Sequence, residues 1–330
     1  MSKKQLVLDA FNNIPVERVP VGFWFHFVQG DEFTKGLENP AVVQKNIEGH
    51  NKFYREFQPD FVKLMSDGFF EYPNLILKNA KSASELLQLK PVGPDHPWVI
   101  NQIKLVKTLT DSFGAEVLTF YNIFAPATYF KIIFGADGNK VLADFIVEDK
   151  AAVRHALNVI AEDLATLSKA LITEGKADGI YLSVQNVQDT RITPEIYKEV
   201  VEPGELQVLA SANGVSEYNI LHICGYEGSK NDLGLYVHYD AKIINWAVNI
   251  ENVSLEIGKK LFGGRAVIGG FANTANGLLY SGSKEEIENF TEQLIHQSGK
   301  TGIILGADCT VPNDIDLNRL EWVRNKAASL

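Results

Sequence analysis

Short runs of β-branched and aromatic residues recur along the chain, each followed by a longer segment with helical spacing of its apolar positions. Eight such runs stand out: residues 19–25 (VPVGFWF), 61–65 (FVKLM), 117–121 (VLTFY), 180–184 (IYLSV), 218–223 (YNILHI), 243–247 (IINWA), 266–270 (AVIGG) and 302–305 (GIIL). Most are continuously apolar rather than alternating, as expected of strands covered on both faces. Residues 151–174 carry apolar positions at i, i+3, i+4 and i+7 and predict a long amphipathic helix. Ser283 ahead of Lys284, Glu285 and Glu286 predicts an N-cap with a capping box for a helix running to about Gln297. Thr193-Pro194 predicts another helix start, with proline at the first helical position.

No Pro/Gly/Ser-rich linker, charge block or low-complexity stretch divides the chain. Alternating strands and helices in an undivided chain predict a single α/β domain over residues 1–330, a (β/α)8 TIM barrel with an N-terminal helical extension. A doubly wound open sheet would carry a glycine-rich phosphate loop after its first strand. His26-Phe27-Val28-Gln29-Gly30 is no such loop.

Composition narrows the partners. The chain has 330 residues, 45% of them hydrophobic, enough for a large core, and a net charge of −10. That acidity, with no basic cluster interleaved with aromatics, argues against nucleic acid and against an anionic membrane surface. No apolar run reaches the roughly 20 residues of a membrane span. The N-terminal Met-Ser-Lys-Lys-Gln carries no evident secretory signal, so the expectation is a cytoplasmic protein. A homodimer is the default oligomer. The two cysteines do not make a disulfide framework.

Those two cysteines carry the candidate chemistry. The fifth run ends in Leu221-His222-Ile223-Cys224, and positions i and i+2 of a strand share a face. Cys309 follows the eighth run, so all three side chains fall at the C-terminal ends of barrel strands, where TIM-barrel enzymes keep their chemistry. One imidazole and two thiolates form a zinc-preferring set, and three protein ligands leave the fourth tetrahedral position of a catalytic site open. The alternative is plain: free cysteine is among the most buried residue types, and a bare His-x-Cys is more often core. The shared face, the common barrel end and the lack of any other cysteine favour ligands. Without a Cys-x-x-Cys spacing, a redox pair is disfavoured.

At these residues the sequence resembles the uroporphyrinogen decarboxylase superfamily, and within it the zinc-dependent methylcobalamin:thiol (coenzyme M type) methyltransferase branch. Arg18-Val19-Pro20-Val21 looks like the opening strand, and the segment from Pro59 to Asp67 is similar to the second-strand segment ending in a substrate-facing aspartate. Phe124-Ala125-Pro126-Ala127-Thr128 resembles the loop after strand three, and Thr193 through Pro203 the helix before strand five. The branch's His-x-Cys and late Cys fall on His222, Cys224 and Cys309, and Cys309-Thr310-Val311-Pro312 is similar to its Cys-x-x-Pro variants. True decarboxylases carry Arg-Gln-Ala-Gly-Arg-Tyr after strand one and Gly-His-Gly after strand eight. Here these places read Trp24-Phe25-His26-Phe27-Val28-Gln29 and Gly306-Ala307-Asp308-Cys309, without the arginines that hold porphyrin carboxylates.

The resemblance implies a methyltransferase that activates a small thiol as a zinc thiolate and takes the methyl group from a corrinoid-type donor. No Asp-x-His-x-x-Gly corrinoid loop is present, so a methylated corrinoid protein or free methylcobamide would act in trans. The alternatives are uroporphyrinogen decarboxylase, or a related decarboxylase of tetrapyrrole (porphyrin) biosynthesis, and a non-catalytic corrinoid- or tetrapyrrole-binding barrel.

Asp67 is the catalytic candidate, orienting substrate or handling a proton; its other reading is a turn residue before Gly68. His26 on an aromatic rim, with Tyr121, Asn122 and Gln185 at strand ends, are the candidate substrate-binding residues. Asp308 reads as a solvated loop acid, with a supporting role to the metal ligands as the other reading. His50, His96, His155, His238 and His296 read as surface residues.

Overall fold

The computed structural model describes residues 2–330. Seven parallel strands form one sheet in chain order: β1 Phe61–Leu64, β2 Leu118–Phe124, β3 Gly179–Val184, β4 Ile220–Ile223, β5 Ile243–Trp246, β6 Ala266–Phe271 and β7 Ile303–Ala307. Every strand is nearly or wholly buried, which explains their continuous hydrophobicity. Alternate positions feed two different cores. Phe61, Met65, Leu118, Phe120, Tyr181, Ile220, Ile268 and Ile304 meet one another and Trp24. Val62, Leu64, Tyr121, Ile123, Leu182, Val184, Ile244 and Val267 pack against helices instead. Side chains from β1 through β7 share one inner cluster because the sheet curls around it.

Seven of the eight predicted runs are strands. The eighth, residues 19–25, forms no regular strand and makes one bridge, Val21 with Leu305. It lies between the two edges of the sheet. Gly22 N donates to Leu305 O at 3.0 Å and Leu305 N to Pro20 O at 2.9 Å, while Asp60 N donates to Val21 O at 3.2 Å. Pro20 has no N–H to offer a ladder. Val21 N is met by the Asp60 carboxylate at 2.8 Å instead of a β1 carbonyl. Arg18 clamps that buried carboxylate with two bonds of 2.7 and 2.6 Å, the bidentate geometry that holds an ion pair most firmly.

The helix Lys3–Phe11, capped by the Ser2 hydroxyl on Gln5 N at 3.2 Å, closes the floor of the inner core. It buries Leu6, Val7, Ala10 and Phe11, and Phe11 meets Phe120 edge to face, the ring centroids 5.7 Å apart. Burying a large apolar side chain contributes about 1.5–3 kcal/mol, so this floor stabilises the curled sheet as well as covering its inner core. The predicted long helix spans Lys150–Thr173, capped by Asp149. The helix Lys284–Ser298 starts at Ser283 with its capping box formed. Thr193 caps Pro194–Ile196, and the chain continues through a π turn, Tyr197–Val201, into Glu202–Asn213. Pro203 cannot donate to a carbonyl four residues back, which accounts for the wider turn. Among the described residues no helix is long and apolar enough to cross a membrane.

The helix Pro40–Phe57 ties itself to the end of β1 through two buried polar side chains. Asn46 Nδ2 donates to Met65 O at 2.9 Å and Asp67 O at 3.2 Å. His50, expected at the surface, is buried: its Nδ1 donates to Asn46 O at 2.9 Å and its Nε2 accepts Met65 N at 3.0 Å. A ring that both donates and accepts must be neutral, and burial pulls its pKa down from 6.5 to about 4. Between those values the unfolded chain binds a proton that the native state refuses, so stability falls as pH drops through that window. From about pH 7 to about pH 5, wild type should lose about 2 kcal/mol more than His50→Gln in denaturant titrations. Equal losses would show that His50 does not carry this acid sensitivity.

Candidate metal centre

His222 lies on β4 directly opposite Asn245 on β5, with Ser183 on its other side. Cys224 follows two residues later, on the same face, where its N–H extends the ladder to Val184 O at 2.9 Å. Cys309 follows β7, after Asp308 N bonds Phe271 O at 2.8 Å. The His222 ring nitrogen and the two sulfurs all lie within 4.8 Å of one another, with His222 buried and the cysteines partly exposed. The His222–Cys224 pair and the distant Cys309 thus converge at the C-terminal ends of the strands.

The Asn245 amide decides what His222 presents. Its Nδ2 donates to Ile268 O at 2.9 Å and Ala307 O at 3.4 Å, so Oδ1 faces the other way. That oxygen accepts the Tyr181 hydroxyl and bonds His222 Nδ1, each at 2.5 Å. His222 therefore carries its proton on Nδ1 and offers a lone pair at Nε2. Nε2 is buried and makes no hydrogen bond. An orphan buried acceptor costs about 1–3 kcal/mol, and a metal ion would satisfy it. Interaction between the two neighbouring sulfurs holds Cys309 well below the usual thiol range and pushes Cys224, which is also desolvated, well above it. The donor set and the orphan lone pair fit a soft divalent ion.

Around this triad the other candidates separate. Asp67 is fully buried and committed: His26 Nδ1 donates to Oδ1 at 2.8 Å and Phe27 N to Oδ2 at 2.7 Å. It is no exposed turn residue; it fixes the loop that carries His26. The His26 ring stands edge-on to Phe33 and Phe70, which stack on each other 4.9 Å apart, giving a partly exposed aromatic rim. Asn122 faces inward, its Nδ2 bonded to Ser66 Oγ at 3.0 Å. Gln185 accepts Lys131 Nζ at 2.9 Å.

Tyr121 is a correction. Its hydroxyl bonds Gln102 on the helix Pro97–Phe113 at 3.0 Å, and its ring belongs to the outer core. Neighbouring strand positions point to opposite faces, so Tyr121 and Asn122 cannot both line the mouth. Asp308 is also not solvated. It is buried and receives Asn249 N at 3.0 Å and Asn249 Nδ2 at 3.1 Å, pinning the turn that begins at Val248. Burial pushes its carboxyl up to about 7.

Several residues of the centre were not anticipated: Asn245, Tyr181, Lys63 and Lys131. The signal was a polar residue inside an apolar run, Asn in IINWA and Lys in FVKLM, since a buried polar group needs a reason. Burial pulls the Lys63 and Lys131 ammonium groups down to about 8. Behind Lys131, burial pushes the Glu205 carboxyl up to about 8, although the Tyr197 and Tyr239 hydroxyls bond it at 2.9 and 2.5 Å.

The fold and triad together define a curled parallel α/β sheet with a His/Cys/Cys cluster at its C-terminal end that could hold a metal ion. The chain belongs to the uroporphyrinogen decarboxylase (URO-D) family, whose model matches residues 70–329. Among solved structures it is similar to a methyltransferase from Methanosarcina mazei, with TM-score 0.69 and 15% identity over 100% of this chain and 99% of that one. It is also similar to a putative vitamin-B12 independent methionine synthase from Listeria monocytogenes, with TM-score 0.52 and 12% identity, covering 94% of this chain and 98% of that one. A B12-independent methionine synthase from a Shewanella species has TM-score 0.54 and 12% identity, covering 94% and 97%. At these identities the likeness establishes the fold. No curated protein matches the chain.

Replacing Asn245 by Leu frees His222 Nδ1 and should weaken zinc binding about 10–100-fold in chelator competition. Asn245→Asp, which keeps the acceptor, should bind zinc more tightly than Asn245→Leu. Equal affinity in the two variants would show that the amide does not set the tautomer.

Proposed function

We propose that this protein is a methyltransferase-like enzyme in which His222, Cys224 and Cys309 hold a zinc ion and a small thiol is the methyl acceptor. The carrying observation is the orphan Nε2 of His222, held by Asn245 as a lone pair beside two sulfurs. A zinc ion with these ligands supplies the acidity that deprotonates a thiol near neutral pH while leaving it nucleophilic. The thiol sulfur forms the new bond to the methyl carbon, and the electron pair of the broken bond stays with the methyl carrier.

The remaining work falls to the chain. Asn245 and Tyr181 fix His222, Asp67 and the Phe27 amide fix the His26 loop, and Lys131 holds Gln185 at the mouth. The aromatic rim of His26, Phe33 and Phe70 suits a flat apolar donor, a methylated corrinoid protein or free methylcobamide acting in trans. The methyltransferase and methionine synthases of similar fold support methyl transfer as the chemistry. We also read residues 19–25 as the irregular eighth stave that completes the barrel. Thiol ligands of this kind persist in a reducing compartment such as the cytoplasm.

A second reading, decarboxylation without a metal, is favoured by the buried ammonium groups of Lys63 and Lys131, which suit carboxylates. Metal analysis separates the two. The methyltransferase reading expects about one zinc per chain, lost in Cys309→Ala and Cys224→Ala proteins that keep their circular dichroism. It also expects thiol-dependent demethylation of methylcobalamin by wild type only. A purified protein without zinc, or one whose zinc survives Cys309→Ala, would overturn it.

A further inference from the structure

Lys63 is a charge in an unexpected place. It sits on β1 between Phe61 and Met65, and strand alternation turns all three toward the inner core. Its residue is 5% exposed. Its Nζ lies 3.8 Å from the centroid of the Tyr181 ring and 5.2 Å from that of Trp24. Among the described residues it has neither a hydrogen-bond acceptor nor a carboxylate at ion-pair distance. Cation–π contact returns only a fraction of what dehydrating an ammonium costs. The side chain is buried while its ammonium lacks an anionic partner, so a negative group entering the site would meet an uncompensated positive charge.

The surroundings indicate where that group arrives. The Tyr181 ring that carries Lys63 stands 5.1 Å from the His222 ring, and its hydroxyl shares Asn245 Oδ1 with His222. The negative groups that bear most on Lys63 are Cys309 and Cys224, followed by Asp67. Asp67 is already committed to His26 and Phe27. The other buried cation of the mouth, Lys131, is bonded to Gln185 and faces Glu205. Lys63 alone of the two is unpartnered.

The charge count completes the case. Two thiolates and a neutral imidazole around a divalent ion sum to zero. An anionic fourth ligand would leave one uncompensated negative charge in a largely dehydrated site, which is unfavourable. We infer that Lys63 is the built-in counter-charge of the metal centre, held unpaired in the barrel so that the site accepts a thiolate without net buried charge. This rests on the methyltransferase reading above. Lys63 acts through charge, as a positioning residue, and the consequence is selectivity for an anionic over a neutral fourth ligand.

The test uses zinc-loaded protein and calorimetric titration with 2-mercaptoethanol, whose tail is uncharged, so that Lys63 can act only on the sulfur. Imidazole serves as the neutral ligand. Lys63→Met should keep its zinc, bind 2-mercaptoethanol about tenfold or more weakly, as expected for one unit charge within about 10 Å, and bind imidazole as wild type does. Lys63→Arg, which keeps the charge, should recover most of the thiol affinity. Lys63→Gln gives the same reading should Lys63→Met not fold. Unchanged thiol binding in Lys63→Met, or equal weakening of thiol and imidazole, would overturn this inference alone. A wild-type protein that takes no zinc, or zinc but no thiol, would overturn the methyltransferase reading and this inference with it.

Discussion

The orientation of one amide governs the centre. Asn245 uses its two N–H bonds on Ile268 O and Ala307 O, and its oxygen receives Tyr181 and His222. Turned over, the amide would set its oxygen against two carbonyl oxygens and leave both carbonyls without its donor. Several buried groups would be left unpaired at about 1–3 kcal/mol each. The amide therefore has one workable orientation, and His222 inherits one tautomer from it. Sheet register brings this about, since parallel pairing sets His222 and Asn245 side by side. The lone pair at the metal position is thus a consequence of strand alignment more than of the histidine itself.

The inner face of the curled sheet changes character along the strands. Its lower layers, Phe61, Leu118, Phe120 and Ile220 over the helix Lys3–Phe11, are apolar. Its upper layers carry Lys63, Asn122, Tyr181, His222 and Asn245, all buried. Apolar packing below supplies rigidity, and that rigidity is what lets the upper polar groups be held at fixed geometry. The same dry surroundings strengthen every charge interaction at the triad. A buried polar layer of this kind is tolerable only where nearly all its members are satisfied. Two members stand apart: His222 Nε2, which has no hydrogen-bond partner, and Lys63, whose ammonium lies over the Tyr181 ring.

Much of this was legible from the chain. Continuous apolar runs marked seven strands, because strands covered on both sides have no solvent face to encode. The convergence of His222, Cys224 and Cys309 was legible too, since i and i+2 share a face and both strand ends open on one mouth. Residues 19–25 were not, because hydrophobicity does not say who supplies the backbone partners. Pro20 removes a donor there and the Asp60 side chain replaces a carbonyl. Tyr121 was misplaced because the predicted run ended at it, whereas β2 continues to Phe124. A true mid-strand residue faces whichever side the alternation dictates. His50 and Asp308 were misread as surface groups, since burial of a polar side chain depends on partners distant in sequence, here Met65 and Asn249.

Charge stoichiometry separates the chemistries a URO-D fold can host. A polycarboxylate substrate needs several cations around its site, and the segment 24–29 carries no arginine. The buried cations near the triad are Lys63 and Lys131, and Lys131 is already engaged by Gln185 and Glu205. One unpaired ammonium matches one negative charge. An acidic protein, with net charge −10, would also repel a multiply charged anion at long range. The electrostatics of the mouth therefore disfavour a large ligand that arrives ionised many times.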